Sequence, residues 1–177
     1  MAGMKPLLLP LAIALALATP LAGAADATRQ AEVAKRGADV MPFDLKATTH
    51  VFTKTGSGGV QKVVAKDAAD AAQVALVRRH LKQIRGEFLT GDFSAPAHIH
   101  GTDMPGLAEL QAARPGQVAI GYREVPGGAE LAYTTRSPKL VRALHEWFDA
   151  QLSDHGADAM AGDMPMHHHH PGMSGSH

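Results

Sequence analysis

TTHVFTKTGSGGVQKVVAK, residues 48–66, consists of two β-prone runs around a glycine-rich break, GSGG at 56–59. β-Branched and aromatic side chains on both sides of glycines that accept a tight turn are the pattern of a β-hairpin. The strands are predicted at residues 49–54 and 60–65. Within the first, His50, Phe52 and Lys54 share one face and Val51, Thr53 and Thr55 the other. Neither face is wholly apolar, so the pattern leaves the burial of His50 open.

Working toward the C-terminus, residues 68–89 carry Val74, Val77, Leu81, Ile84 and Phe88 three and four apart, one face of an amphipathic helix that Asp67 or Asp70 can cap. SAPAHIHGTDMPG, residues 94–106, is expected as a loop, and a short helix is predicted over 105–113 with Pro105 near its first turn. QVAIGYREV, PGG and AELAYTTR, residues 117–136, repeat the hairpin signal. SPKLVRALHEWFDAQLSDHG, residues 137–156, is a helix with Ser137 as N-cap, Pro138 in its first turn, Gly156 as its stop and an apolar face through Val141, Leu144, Phe148 and Leu152. Two β-β-α units therefore follow one another, each with LVR in its helix, at 76–78 and 140–142. The expected fold is α+β: one four-stranded antiparallel sheet with both long helices on one face, the alternative being two separate sheets.

The N-terminus, MAGMKPLLLPLAIALALATPLAGAADA, has one lysine, an apolar run at 7–18 and small residues at Ala22 and Ala24. It reads as a secretory signal peptide over residues 1–24, and the run is too short for the ~20 apolar residues of a membrane span. The expected organisation is then a linker at 25–38, one α+β domain at 39–157 and a disordered tail at 158–177. Export to the periplasm or the medium follows. An exported domain of about 120 residues often carries disulfides, yet the chain has no cysteine, so it must rely on an ordinary core and has no thiolate ligands. Lysine plus arginine equals aspartate plus glutamate, 17 each, which excludes the basic excess of a nucleic-acid binder.

Histidine is the unusual residue, 11 in all, five of them in the last eleven positions. The tail, DAMAGDMPMHHHHPGMSGSH, sets Met164 and Met166 beside His167, His168, His169 and His170. Imidazole with thioether suits copper; imidazole alone suits zinc or nickel. A purification tag is the other reading, but four histidines in a methionine-rich setting are closer to the metal-collecting tails of exported bacterial proteins. In the domain, His98 and His100 face the same way if residues 98–100 are extended, as Pro96 favours, and Asp103 is near enough to join or orient them. His50 and His155, the latter beside Asp154 at a helix end, are candidates to complete a nitrogen-rich site if the fold brings them to the 94–106 loop. Asp44 is a further carboxylate nearby. His145 borders an apolar face and reads as a bonded core histidine, and His80 as an interfacial one.

MPFDLKATTHVF, GDFSAPAHIHGTDMPGL and LHEWFDAQLSDHG resemble a family of small exported bacterial proteins of unassigned chemistry, some of whose members bear the label aspartate carbamoyltransferase. The resemblance spans residues 39–157. That label implies a Ser-Thr-Arg-Thr phosphate motif in a much longer cytoplasmic chain. The nearest stretch here, TTRSP at 134–138, differs in order and surroundings, so the resemblance implies no catalytic residues.

Three functions remain. The first is an exported metal-binding protein, copper first and zinc or nickel next, using His50, His98, His100, His155 and Asp103 in the domain and His167–His170 with Met164 and Met166 in the tail. The second is an enzyme with histidine and carboxylate doing acid–base or metal-assisted work on an unknown substrate, although no G-x-S-x-G or H-E-x-x-H motif is present. The third is a noncovalent haem or small-ligand binder, since no C-x-x-C-H motif exists.

Overall fold

The structure, a computed structural model, describes residues 21–163. In chain order it contains α1 (Leu21–Val40), β1 (Thr48–Thr55), β2 (Gly58–Ala65), α2 (Ala71–Leu89), α3 (Ser94–His100), α4 (Leu107–Gln111), β3 (Ala119–Val125), β4 (Gly128–Thr134), α5 (Pro138–His155) and β5 (Ala159–Ala161). The fold is α+β. Both hairpins form, with β1 antiparallel to β2 and β3 antiparallel to β4, and β2 pairs β4 antiparallel to join them in one sheet. The expected four-stranded antiparallel sheet is corrected by β5, which lies parallel to β1 at the edge with His50 opposite Ala159, giving the order β3-β4-β2-β1-β5. This strand occupies positions assigned from sequence to a disordered tail. Ala-Met-Ala is too short and too small to show an alternating pattern.

One face of the sheet is covered. His50 and Phe52 of β1, Gln61 and Val63 of β2, and Leu131 and Tyr133 of β4 are buried there. Val77 and Leu81 of α2 and Trp147 and Phe148 of α5 pack against them in a single core. The α5 stripe is rotated from the predicted one: Leu140, Ala143, Leu144, Trp147, Phe148 and Gln151 are buried, whereas Val141 and Leu152 are only half-buried. Gly106, at φ 77, lets α4 lie against α5, because a Cβ there would stand 2.0 Å from the Ala143 carbonyl oxygen.

The caps are those the sequence names. Ser137 accepts from the Leu140 amide, and Asp70 accepts from the Gln73 amide at 3.0 Å. Removing an N-cap acceptor costs about 1 kcal/mol. Asp70→Ala is therefore expected to lower Tm by about 4 °C in a thermal melt, and an unchanged Tm refutes the cap's contribution.

Residues 25–38, expected as a linker, belong to helix α1. Alanine, glutamine, glutamate, lysine and arginine there are good helix formers. Val33, 1% exposed, sinks into the core, and Arg29 and Gln30 bond to the end of α5. The signal-peptide assignment falls mostly on residues 1–20, outside the described residues, as do Met164, Met166 and His167–His170. Among the described residues, no helix is long and apolar enough to cross a membrane.

Candidate functional site

The loop expected at 94–106 is helical in its first half. Pro96 is the third residue of α3, within the first turn where a helix tolerates proline because that amide has no helical partner. Two residues on a helix are about 200° apart, so a His-x-His pair that would converge on a strand diverges here. His98 is 55% exposed and lies 3.8 Å from Asp39 on α1, pointing away from the core. His100 is 2% exposed and points inward. Asp103 is exposed beyond the helix end. His98 and Asp103 therefore leave the predicted cluster.

His50, His100 and His155 do come together. The His50 and His155 rings lie 4.8 Å apart, centroid to centroid, and nearly parallel at 8°. His100 meets His155 edge-on at 5.1 Å and 76°. β1 supplies His50 from its covered face, α3 supplies His100, and the last turn of α5 supplies His155. These three and His80 border a cavity of about 40 Å³ that Gln61 and Gln151 also line. That volume admits a small ion or a few waters and is far too small for a haem. A larger surface hollow, about 310 Å³, lies on the other side of His155 between Gln30, Lys46, Asp154 and Asp158. His155 thus forms a wall common to both.

One ring is held firmly. His100 Nδ1 lies 2.8 Å from Asp154 Oδ2, and the same carboxylate accepts from Arg29 Nε at 3.0 Å and from its terminal nitrogen at 2.8 Å. Arg29 also donates to the His100 carbonyl, tying α1, α3 and α5 at one point. Burial pushes the Asp154 carboxyl up, but the hydrogen bonds from Arg29 and His100 outweigh it and hold it below the ordinary range. Burial also lowers His100, against the pull of Asp154. An ionised carboxylate beside a neutral imidazole places the ring proton on Nδ1 and leaves Nε2 as a bare lone pair.

The other imidazoles are also kept neutral. Burial pushes His80 down to about 4 and His155 to about 4, the latter with help from His100. His50 is lowered well below its ordinary value, first by burial and then by His155. Three buried polar atoms around this cavity have no hydrogen-bond partner: His50 Nδ1, Trp147 Nε1 and Gln151 Nε2. Orphaned buried groups cost about 1–3 kcal/mol each, so three of them around one cavity favour a polar occupant within it, water or an ion. By contrast Gln61 Oε1 is satisfied, accepting from the Tyr133 hydroxyl at 2.8 Å. His145 donates from Nε2 to the carbonyls of Thr55 and Gly58, at 3.0 and 2.9 Å, and pins the first hairpin's turn to α5, the bonded histidine expected from sequence.

The chemistry of this donor set fits a borderline or soft transition-metal ion: neutral imidazoles, one of them backed by a carboxylate in the manner of metal-ligating histidines. Its ring orientations do not yet form a coordination sphere. Parallel rings direct their in-plane lone pairs side by side, so His50 and His155 share an ion only after one turns about its soft Cβ–Cγ bond. Consistent with this, no three His, Asp or Glu side chains among the described residues are arranged to hold a metal ion as they stand.

Arg29, Gln61, Trp147 and Gln151 were missed from sequence. Trp147, Gln151 and His155 form a stripe at four-residue spacing on α5, and Gly59, Gln61 and Val63 alternate on β2; both signals were present and were outweighed by the histidines. No family model matches the chain, and no curated protein or solved structure matches it.

Proposed function

We propose that this chain is an exported metal-binding protein, copper first and zinc or nickel next, whose domain holds an ion at His50, His100 and His155. The observation that carries the reading is the gathering of three neutral, largely buried imidazoles around one small cavity, one ring fixed by Asp154 with its Nε2 lone pair free. His167–His170, Met164 and Met166 serve in this reading as an outer collecting tail, and export to the periplasm is part of it.

The test is a titration of full-length chain in which His167–His170 are alanine, with copper(I) and zinc(II) against a competing chelator. One equivalent is expected at the domain. His100→Ala and His155→Ala are each expected to weaken it by about tenfold or more, about 1.4 kcal/mol. His98→Ala is expected to change nothing. Absence of stoichiometric binding ends the proposal.

A second reading is favoured by one specific contact, the 2.8 Å bond between His100 and Asp154. With Nδ1 so held, Nε2 can act as a general base toward a small molecule in the cavity. Turnover by metal-free protein that is lost in His100→Gln distinguishes it from pure ion binding.

A further inference from the structure

Trp147 and Gln151 are four residues apart on α5, so their side chains leave one face of the helix as neighbours. Both line the cavity beside His50, His100 and His155, and both are buried, 1% and 5% exposed. The indole Nε1–H and the amide Nε2–H of this pair find no acceptor among the described residues. An N–H has no lone pair to give, so a cation held by the imidazoles leaves both donors unanswered. What they lack is an acceptor. His100 presents the opposite need: Asp154 holds its Nδ1 at 2.8 Å, so its Nε2 is a lone pair without a hydrogen.

We propose that this cavity binds a small carboxylate, formate or acetate, whose oxygens accept from Trp147 Nε1 and Gln151 Nε2 while His100 takes up one proton at Nε2. The inference goes beyond the metal reading and does not depend on it. A carboxylate suits the two donors because its two oxygens offer about four lone-pair sites. Its charge needs a partner, since a lone carboxylate is costly to bury. No lysine or arginine lines the cavity, and Arg29 is already paired with Asp154. The counter-charge is therefore a proton, and of the imidazoles at the cavity His100 is the one backed by an aspartate that stabilises its cation. The groups around it are Asp154 and His155 on α5, His50 on β1, His80 on α2, and Arg29 and Arg36 on α1. The two arginines oppose the proton and Asp154 favours it. The volume, about 40 Å³, admits about three or four non-hydrogen atoms. Val63, Leu81 and Ile84 in the wall offer apolar surface to a methyl group and nothing to a second charge.

The experiment uses the full-length chain with chelator present, so its outcome is independent of any bound ion. The chain has one tryptophan, and its indole N–H signal in a nitrogen-correlated proton NMR spectrum reports on the proposed bond. Sodium acetate at pH 6 is expected to move that signal downfield in a saturable way, and sodium chloride at equal ionic strength is expected to leave it in place. Apparent affinity is expected to fall about tenfold per pH unit from pH 6 to pH 7.5, because one proton enters with each carboxylate. Acetamide, with one oxygen for two donors and no charge, is expected to bind more weakly and without that slope. Gln151→Leu, a swap of similar volume, is expected to weaken acetate about tenfold without lowering Tm, since it removes an unpartnered buried amide. No saturable shift of the indole signal in the parent overturns the inference, and decides the matter even if the variant folds poorly. So does an affinity flat with pH, acetamide binding as tightly as acetate, or unchanged affinity in Gln151→Leu. None of these outcomes touches the ion titration, which succeeds or fails by its own stoichiometry.

Discussion

Asp154→Ala is expected to melt about 10 °C below the parent protein and to bind an ion at the pocket 10–100-fold more weakly. The stability loss follows from what the carboxylate holds. Asp154 is 8% exposed and accepts two hydrogen bonds from Arg29 and one from His100. Arg29 is 41% exposed, so water compensates much of its loss. His100 has no such relief: its Nδ1 proton is left without an acceptor in a 2% exposed site. Hydrogen bonds to charged groups contribute about 1.5–3 kcal/mol and an orphaned buried donor costs about 1–3, so a net loss of about 3 kcal/mol is expected. For a domain of this size that is a fall of about 10 °C in Tm. Affinity falls because an unanchored His100 can rotate and its Nε2 loses basicity, the usual effect of removing the partner behind a metal-ligating histidine. Arg29→Ala is expected to cost only about 1 kcal/mol, since it leaves the His100–Asp154 bond in place. Melts followed by circular dichroism and the chelator competition check both. A Tm within 2 °C of the parent, or unchanged affinity, means that Asp154 neither braces the three helices nor orients the ring.

That bridge also shows how much of the site was legible in the sequence. Arg29 and Asp154 are 125 residues apart, and no local pattern encodes a contact between the middle of one helix and the end of another. The hairpins, by contrast, are local objects, and GSGG at 56–59 with PGG at 126–128 located both. The caps at Asp70 and Ser137 and the stop at Gly156 are local too, and each stands where expected. Placing His50, Phe52 and Lys54 on one face anticipated that His50 and Phe52 lie together, although only the helices packed above decide that this face is the covered one.

The His98–His100 pair failed for a different reason. Pro96 disfavours the helical region for the residue before it, but in the first turn of a helix that penalty is small and proline's fixed φ suits the element. Whether the proline opens a helix or stiffens a loop depends on the seven-residue segment having something to pack on. Here it does: Ile99 is buried in the core and His100 is caught by Asp154. Helical spacing then separates the two histidines: whether the domain histidines converge was left open by the sequence, and His50, His100 and His155 lie together with His98 outside them. The polar glutamines escaped notice because each sits at a position where an apolar residue would fit the pattern equally well. Only the cavity beside them gives them meaning.

The neutral histidines that make the pocket attractive to a cation also make the fold vulnerable to acid. With chelator present, stability is expected to fall steeply between pH 6.5 and pH 4. The folded chain holds His80 and His155 at about 4 by burial, against about 6.5 in the unfolded chain. Below pH 6.5 the unfolded chain therefore takes up protons that the folded chain refuses, and stability drops as pH falls until about pH 4, where both states are protonated. Each of these two groups costs about 3 kcal/mol across that window, at 1.36 kcal/mol per unit. His50 acts in the same direction. Their sum is comparable to the 5–15 kcal/mol that keeps an ordinary domain folded, so the acid midpoint is expected above pH 4. The carboxylates act lower: Asp154 and Asp158 are held below their ordinary values, so what they contribute is lost only as pH falls below about 4. Urea unfolding at pH 7, 6, 5 and 4.5 measures the slope. His80→Leu isolates one group, because burial is the sole cause of the His80 shift, and is expected to remove about 3 kcal/mol of the loss. A flat stability from pH 6.5 to 4.5, or an unchanged slope in His80→Leu, means that these imidazoles are wetter than their packing implies and that the cavity is open to bulk water.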